Sequence, residues 1–223
     1  MKKGKILFID TETGGVNPLK HKLLTIGMVL WEDGKLKDKL EVALKDTLYA
    51  VTPEALQINQ IDLETHVHNA LENLPAIEQI IDFVEKHFSG QKATIAGHNV
   101  HFDVGFLKRL FEEEGIQYNQ YFSHRLIDTA SILNYLYFSG VLPDQLSSSD
   151  AAFKYFSISP VGRHTSLGDA VATAQLFNKL ISFERKLRTR NLRIKPTGYP
   201  GKIGKSANKR SASNKAKLVQ ARP

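Results

Sequence analysis

The chain of 223 residues is long enough for one sizeable domain and a short appendage. It contains no cysteine, which excludes a disulfide scaffold, a thiolate metal site and a cysteine nucleophile. The net charge of +7 is unevenly distributed, because residues 185–223 hold 13 lysines and arginines and no acidic residue. Residues 1–184 carry 17 basic and 23 acidic side chains, so we expect an acidic folded domain there and a basic, flexible tail over residues 185–223.

The N-terminus has no pattern typical of secretion. Its basic residues precede only four apolar residues, 6–9, and no apolar run along the chain reaches the length of a membrane span. We therefore expect no signal peptide and no membrane partner. Together with the absence of cysteine, this predicts a cytoplasmic location, whereas no pattern indicates an oligomeric state.

Three strands are predicted in the first part of the chain. The apolar run of residues 6–9 predicts a buried strand over residues 5–10, and residues 23–31, rich in Leu, Ile and Val, predict a second. A hairpin turn at Glu32-Asp33-Gly34 joins this strand to an alternating third strand over residues 36–44.

Helices and one further strand alternate through the rest of the domain. Thr52 is predicted to cap a short helix with Pro53 at its first position. The other predicted elements are a helix over residues 75–88, a strand over 93–96, a helix ending at Gly115, a helix from about Asp128 to Gly140, a helix over about 148–156 and a long helix from about Ser166 past Leu180. This order predicts an α/β fold with a mixed sheet flanked by helices.

Asp10 and Glu12 form the first candidate site, at the end of the first strand. If the strand persists through Glu12, both carboxylates point to the same face, because side chains alternate along a strand. A cation between them would relieve their repulsion, and Mg²⁺ or Mn²⁺ prefers such oxygen ligands. The alternative is a solvated strand end, since Asp-x-Glu is common by chance.

Two further motifs lie at helix starts. Asp103 falls in the first turn of the helix after Asn99, where the helix dipole favours an acid and Asn99 itself is a candidate N-cap. His164 lies in a loop between glycines, which suits an exposed general base. Asp169 begins an Ala-rich helix, where it either completes a capping box with Ser166 or needs a partner such as a metal.

Together the three motifs resemble those of the DEDDh (DnaQ-like) superfamily of 3′–5′ exonucleases. The motifs Asp10-x-Glu12, Asn99-x-x-Phe102-Asp103 and His164-x4-Asp169 occur in the order found in that superfamily, and the resemblance spans about residues 5–182. The superfamily includes the proofreading subunit of bacterial replicative DNA polymerase, ribonuclease T and oligoribonuclease. Ser166 is a departure, because the family usually has alanine there. The resemblance implies a ribonuclease-H-like fold with a mixed five-stranded sheet.

The resemblance also implies roles for the residues of the motifs. It implies a two-metal mechanism with Mg²⁺ or Mn²⁺, in which two cations neutralise charge at the attacking and leaving oxygens of a phosphodiester. Asp10 would bridge both metals, Glu12 and Asp169 would complete the site of the nucleophile, Asp103 would support the other metal, and His164 would accept the proton of the attacking water. The predicted substrate-binding residues are Thr11, Thr13, Gly14, Asn99 and Phe102, of which Phe102 either stacks on a base or packs in the core.

These observations predict a metal-dependent 3′–5′ exonuclease that releases 5′-mononucleotides, acting on single-stranded DNA or a DNA 3′ end. The alternatives are an RNA-trimming exoribonuclease and a non-catalytic module that binds nucleic acid or a polymerase. For the basic tail three roles stay open: contacts to the phosphates of a nucleic acid, contacts to a DNA polymerase, and a dispensable solvated segment.

Overall fold

A computed structural model describes residues 4–45, 51–146 and 148–189. The strands are β1 (Lys5–Thr13), β2 (Leu23–Glu32), β3 (Lys35–Ala43), β4 (Ala93–Gly97) and β5 (Phe122–Asp128), and they form one sheet in the order β3-β2-β1-β4-β5. The first three strands are antiparallel, whereas β4 pairs parallel to β1 and β5 pairs parallel to β4. The predicted mixed five-stranded sheet flanked by helices is confirmed.

Eight helices are present in the described part of the chain. They are α1 (Pro53–Asn59), α2 (Leu63–Asn69), α3 (Asn73–Phe88), α4 (His101–Glu113), α5 (Tyr118–Tyr121), α6 (Thr129–Phe138), α7 (Ser149–Tyr155) and α8 (Ser166–Thr189). Across residues 4–45, 51–146 and 148–189, none of these helices has both the length and the apolar character that a membrane span requires. Helix α8 continues five residues into the segment predicted as the basic tail, and residues 190–223 lie outside the described residues.

The two faces of β1 pack against different helices. Leu7 and Ile9 belong to the core cluster formed with α3 and α4, whereas Phe8 belongs to the cluster on the opposite face with Ala170 and Ala174 of α8. Alternation along the strand therefore assigns even-numbered side chains to the side of α8 and odd-numbered ones to the side of α4. A third cluster joins α6, α7 and α8.

Several local predictions differ from the structure. The strand β5 and the short helices α2 and α5 are absent from the elements predicted along the chain. Residues 123–125 of β5 are polar, and two of them are exposed at the edge of the sheet, so this strand has no apolar run of its own. Strand β1 extends through Glu12 to Thr13, beyond the predicted end at Asp10.

The predicted caps are partly confirmed. Thr52 accepts a hydrogen bond from the amide of Ala55, and Asp128 accepts bonds at the start of α6. The alternative of a capping box at Ser166 is wrong, because the hydroxyl of Thr165 accepts a hydrogen bond from the amide of Gly168 at 3.1 Å. Thr165 therefore caps α8, and Ser166 lies buried inside its first turn.

Candidate active site

Three carboxylates meet at the carboxyl end of β1. Asp10, Glu12 and Asp169 each offer an oxygen, and these atoms lie within 4.8 Å of one another. Asp10 and Glu12 share the face of β1 that packs against α8, because the strand runs without irregularity through both residues. Asp169 lies in the first turn of α8 and so points its carboxylate at the same place.

A glycine in β2 lets α8 approach this close. Gly27 pairs with Asp10 across the sheet, and the first turn of α8 lies directly on it. A Cβ atom on Gly27 would lie 2.3 Å from the backbone nitrogen of Leu167 and the carbonyl carbon of Ser166. Glu41 of β3 stabilises the same turn, because its carboxylate accepts hydrogen bonds from the Ser166 hydroxyl at 3.2 Å and from the Leu167 amide at 3.3 Å.

Asp103 approaches from the other face of the sheet. It lies in the first turn of α4, is 4% exposed, and accepts a 2.6 Å hydrogen bond from the hydroxyl of Thr11. In the chain Thr11 lies between Asp10 and Glu12. Because side chains alternate along a strand, its own side chain is on the opposite face of β1, towards α4. Asp103 is not one of the three clustered residues, but its charge is near enough to raise the pKa of Asp10.

Burial and mutual repulsion perturb the acids strongly. Burial, reinforced by the charges of Asp103, Asp169 and Glu12, raises the pKa of Asp10 well above its usual range. Burial also raises the pKa of Glu12 to about 7, with a further contribution from Asp169, and that of Asp103 to about 7 against the opposing hydrogen bond of Thr11. Buried acids that repel one another in this way are typical of functional sites.

The donor set fits a divalent cation. Oδ1 of Asp169 is buried and has no hydrogen-bond partner among the described residues, although a buried carboxylate oxygen is normally satisfied. A hard cation bound by oxygen atoms would satisfy this atom and offset the repulsion between Asp10 and Glu12.

Arg163 is a member of the site that the sequence motifs do not indicate. Its Nη1 donates to Oδ2 of Asp169, and its charge opposes the raised pKa values of Asp10 and Glu12. Only its position beside His164 could have indicated it, because the partners of a guanidinium depend on tertiary packing.

His164 is exposed in a tight turn before α8. Its φ of 63° is unusual for a residue other than glycine, and Gly162 at φ 72° precedes it. Close packing holds the turn, since a Cβ on Gly168 would lie 1.9 Å from the carbonyl oxygen of Gly162. The histidine lines a cleft of about 370 Å³, which also contains Glu12, Glu41 and Asn59.

A second cleft, of about 400 Å³, shares Glu12 and Asn59 with the first. The residues that line it include Thr11, Glu12, Thr13, Gly15, Val16, Ile58, Asn59 and Phe102. Phe102 is 40% exposed, so the alternative that it packs in the core is wrong, and its ring forms part of the cleft wall beside Phe106. This mainly apolar cleft suits a flat, partly apolar ligand.

Asn59 is shared by the two clefts. It is buried at the end of α1, lines both, and its side-chain amide donates to the carbonyl oxygen of Thr13 at 3.2 Å. Nothing in the sequence signals this role, because the residue looks like an ordinary helix end.

The structure places two of the predicted substrate-binding residues outside the lining of the apolar cleft. The backbone of Gly14 is bonded on both sides, its amide to the carbonyl of Lys22 at 2.8 Å and its carbonyl to the amide of Thr52 at 2.7 Å. Asn99 has a φ of 58°, and its backbone amide donates a hydrogen bond to the Asp128 carboxylate at 2.8 Å. The N-cap predicted at Asn99 is wrong, since Val100 occupies that position.

Comparisons with known proteins match most of the chain. The RNase_T family, described as exonuclease, matches residues 7–177. Ribonuclease T of Wigglesworthia glossinidia brevipalpis is 29% identical over 189 residues, which cover 80% of this chain and 85% of the relative.

Two solved structures share the fold. One is Escherichia coli exonuclease I in complex with a dT13 oligonucleotide, with a TM-score of 0.69 and 17% identity over 84% of this chain and 43% of that one. The other is the nuclease domain of 3′hExo, a DEDDh family member bound to rAMP, with a TM-score of 0.66 and 16% identity over 81% of this chain and 92% of that one. The chain thus spans less than half the length of the exonuclease I chain.

Proposed function

The chain belongs to the RNase_T exonuclease family, within the DEDDh superfamily of 3′–5′ exonucleases, and from this premise we propose that it shortens single-stranded DNA or a DNA 3′ end to 5′-mononucleotides by a two-metal mechanism. The proposed ligands of two divalent cations, Mg²⁺ or Mn²⁺, are Asp10, Glu12, Asp103 and Asp169. His164 is the proposed general base.

One observation carries the metal site. Asp10, Glu12 and Asp169 converge within 4.8 Å, and Oδ1 of Asp169 is buried there without a partner among the described residues. A cation bound there would satisfy Oδ1 of Asp169 and offset the repulsion among the three acids, of which only Asp169 has an ion pair with Arg163. The cations, when bound, neutralise charge on the phosphate and lower the pKa of a bound water.

The protein's own residues position the substrate and the proton acceptor. The apolar cleft receives the 3′-terminal nucleotide, with Phe102 as the exposed aromatic surface on which a base stacks. Glu12 lines both that cleft and the cleft that contains His164. The exposed imidazole is therefore on the same cleft wall as a carboxylate, which supports its proposed role of taking the proton of the attacking water.

An RNA 3′ end is the second candidate substrate. The name of the relative that is 29% identical, ribonuclease T, favours it, whereas the dT13 ligand of exonuclease I favours DNA. The enzyme class is common to both candidates. Membership of an exonuclease family, with all four carboxylates and the histidine present, favours an enzyme over the non-catalytic interaction module.

The remaining expectations concern the tail, the domain boundary and the location. We propose that the basic residues of 185–223 offset the acidic domain by contacting phosphates; contact with a DNA polymerase remains the alternative prediction. A boundary near residue 184 and a cytoplasmic location are further predictions. Deleting residues 190–223 should weaken nucleic-acid binding at low salt more than at high salt, and an unchanged affinity would remove the phosphate-contact role.

Digestion of 5′-labelled single-stranded DNA and RNA of matched sequence tests the proposed function. With Mg²⁺ or Mn²⁺ we expect a ladder that shortens from the 3′ end of DNA, and with chelator we expect no shortening. Faster shortening of RNA would select the second candidate. An absence of chelator-sensitive shortening on both substrates would refute the two-metal exonuclease.

A further inference from the structure

Arg163 joins the carboxylate cluster to α7. Its Nη1 donates to Asp169, its Nε donates to Asp150 at 2.9 Å, and its Nη2 donates to the hydroxyl of Ser149 at 3.1 Å. The guanidinium also lies 5.6 Å from the ring centre of Phe153. Of these four partners only Asp169 belongs to the cluster.

Because its partners lie in two places, Arg163 can be paired either with both Asp169 and α7 or with α7 alone. The contacts to Ser149, Asp150 and Phe153 do not depend on Asp169, so Arg163 keeps a paired charge on α7 if Asp169 turns both oxygens to another cation. Arg163 is partly buried, so leaving its charge without a carboxylate would be unfavourable, and the ion pair with Asp150 removes that penalty. The contacts to α7 thus keep Arg163 beside the carboxylate cluster even when its hydrogen bond to Asp169 is absent.

Arg163 and a divalent cation would compete for the carboxylate of Asp169, because both are positively charged. Asp169 has one oxygen bound to Arg163 and the other buried without a partner among the described residues. A guanidinium and a divalent cation repel each other strongly at such short range in a partly buried site. Resting on the metal site proposed above, we propose that Arg163 is an internal cation that stabilises the carboxylate cluster in the ion-free enzyme and competes with the divalent ion for Asp169.

Two opposite effects of removing Arg163 follow. The ion-free protein becomes less stable, because Asp169 loses its cation. The affinity for the divalent ion increases, because a competing positive charge is gone, and a coupling between two such sites is typically about 5- to 150-fold. If the arginine merely oriented Asp169 as a ligand, its loss would weaken ion binding instead.

Titration of the chelator-stripped full chain with Mn²⁺, followed by calorimetry, tests the inference. Arg163→Gln should bind Mn²⁺ at least about fivefold more tightly than the wild type. Arg163→Lys keeps the charge and should stay close to the wild type. Arg109→Gln, which removes a comparable arginine paired with Glu113 on α4, is the matched control and should change neither property.

Thermal melts give a second, independent signature. Arg163→Gln should melt several degrees below the wild type in chelator, and saturating Mn²⁺ should raise its melting temperature by more than it raises that of the wild type. Equal or weaker Mn²⁺ binding by Arg163→Gln would overturn the inference. If that variant does not fold in chelator, weaker Mn²⁺ binding by Arg163→Lys would overturn it as well.

The outcome also separates this inference from the proposed function. A wild-type protein that binds Mn²⁺ with the same affinity as Arg163→Gln overturns the competition alone. A wild-type protein that binds no Mn²⁺ overturns the metal site and the competition together.

Discussion

Replacing Gly27 by alanine should impair the site by moving the backbone of α8. The new Cβ would lie 2.3 Å from backbone atoms of Ser166 and Leu167, which have no flexible end that could turn away. Relief to an ordinary separation requires the first turn of α8 to retreat by roughly 1 Å, and Asp169 moves with it. Displacements of about 1 Å at a reacting centre cost on the order of 100-fold in rate, and overpacking of this kind destabilises by about 1–3 kcal/mol.

The assay is single-turnover release of the 3′-terminal nucleotide at saturating Mn²⁺, with chemical denaturation measured in parallel. Gly105→Ala is a matched control in α4, because its Cβ would meet only the ring of Pro18 at an ordinary 3.7 Å. That variant should keep its activity and its free energy of unfolding, or gain slightly in stability. Wild-type turnover by Gly27→Ala would refute the view that this close approach places Asp169.

Three further predictions concern individual groups of the site. His164→Ala should reduce turnover at pH 7 by about 100-fold or more while substrate affinity changes little, and unchanged turnover would contradict its role as the base. Phe102→Ala should weaken substrate binding by about 1–3 kcal/mol with a smaller effect on the rate of the bound complex, measured by anisotropy and single-turnover kinetics. Because the pKa values of Glu12 and Asp103 are about 7 in the folded protein, the folded state holds more protons than the unfolded state between about pH 4 and pH 7. The chelated protein should therefore lose stability as the pH rises through that range, and Mn²⁺ binding should tighten with pH and release protons; a melting temperature that rises from pH 5 to pH 8 in chelator would contradict the raised pKa values.

The parts of the fold that were predictable have local causes. The apolar run before Asp10 is a strand because it is buried on both faces. Thr52 caps α1 because its hydroxyl accepts a hydrogen bond from the amide of Ala55, only three residues further along the chain. Strand β5 has no local signal in the sequence, because it is stabilised by pairing with β4 while its own residues are largely polar. Its existence was implied only by the resemblance to the family.

The sequence predicts which residues form the candidate site better than it predicts how they are arranged in space. Alternation along β1 predicts that Asp10 and Glu12 share a face, and the structure places them together with Asp169. Contacts that depend on the approach of two elements were invisible from the chain alone. Gly27 is the exception in principle, since a glycine inside an otherwise apolar strand indicates a close backbone approach. The partners of Arg163 follow from where α7 packs, which no local pattern encodes.

The most direct test of the central claim is chromatographic identification of the products released from a single-stranded oligonucleotide with Mn²⁺, by the wild type and by Asp10→Asn. We expect the wild type to release 5′-mononucleotides one at a time from the 3′ end. Asp10→Asn should release none, although its chelated form should melt at or above the wild-type temperature, because asparagine cannot form the charge that Asp103, Asp169 and Glu12 disfavour. Sustained release by folded Asp10→Asn, or internal cleavage by the wild type, would contradict a carboxylate-held metal centre that acts on 3′ ends.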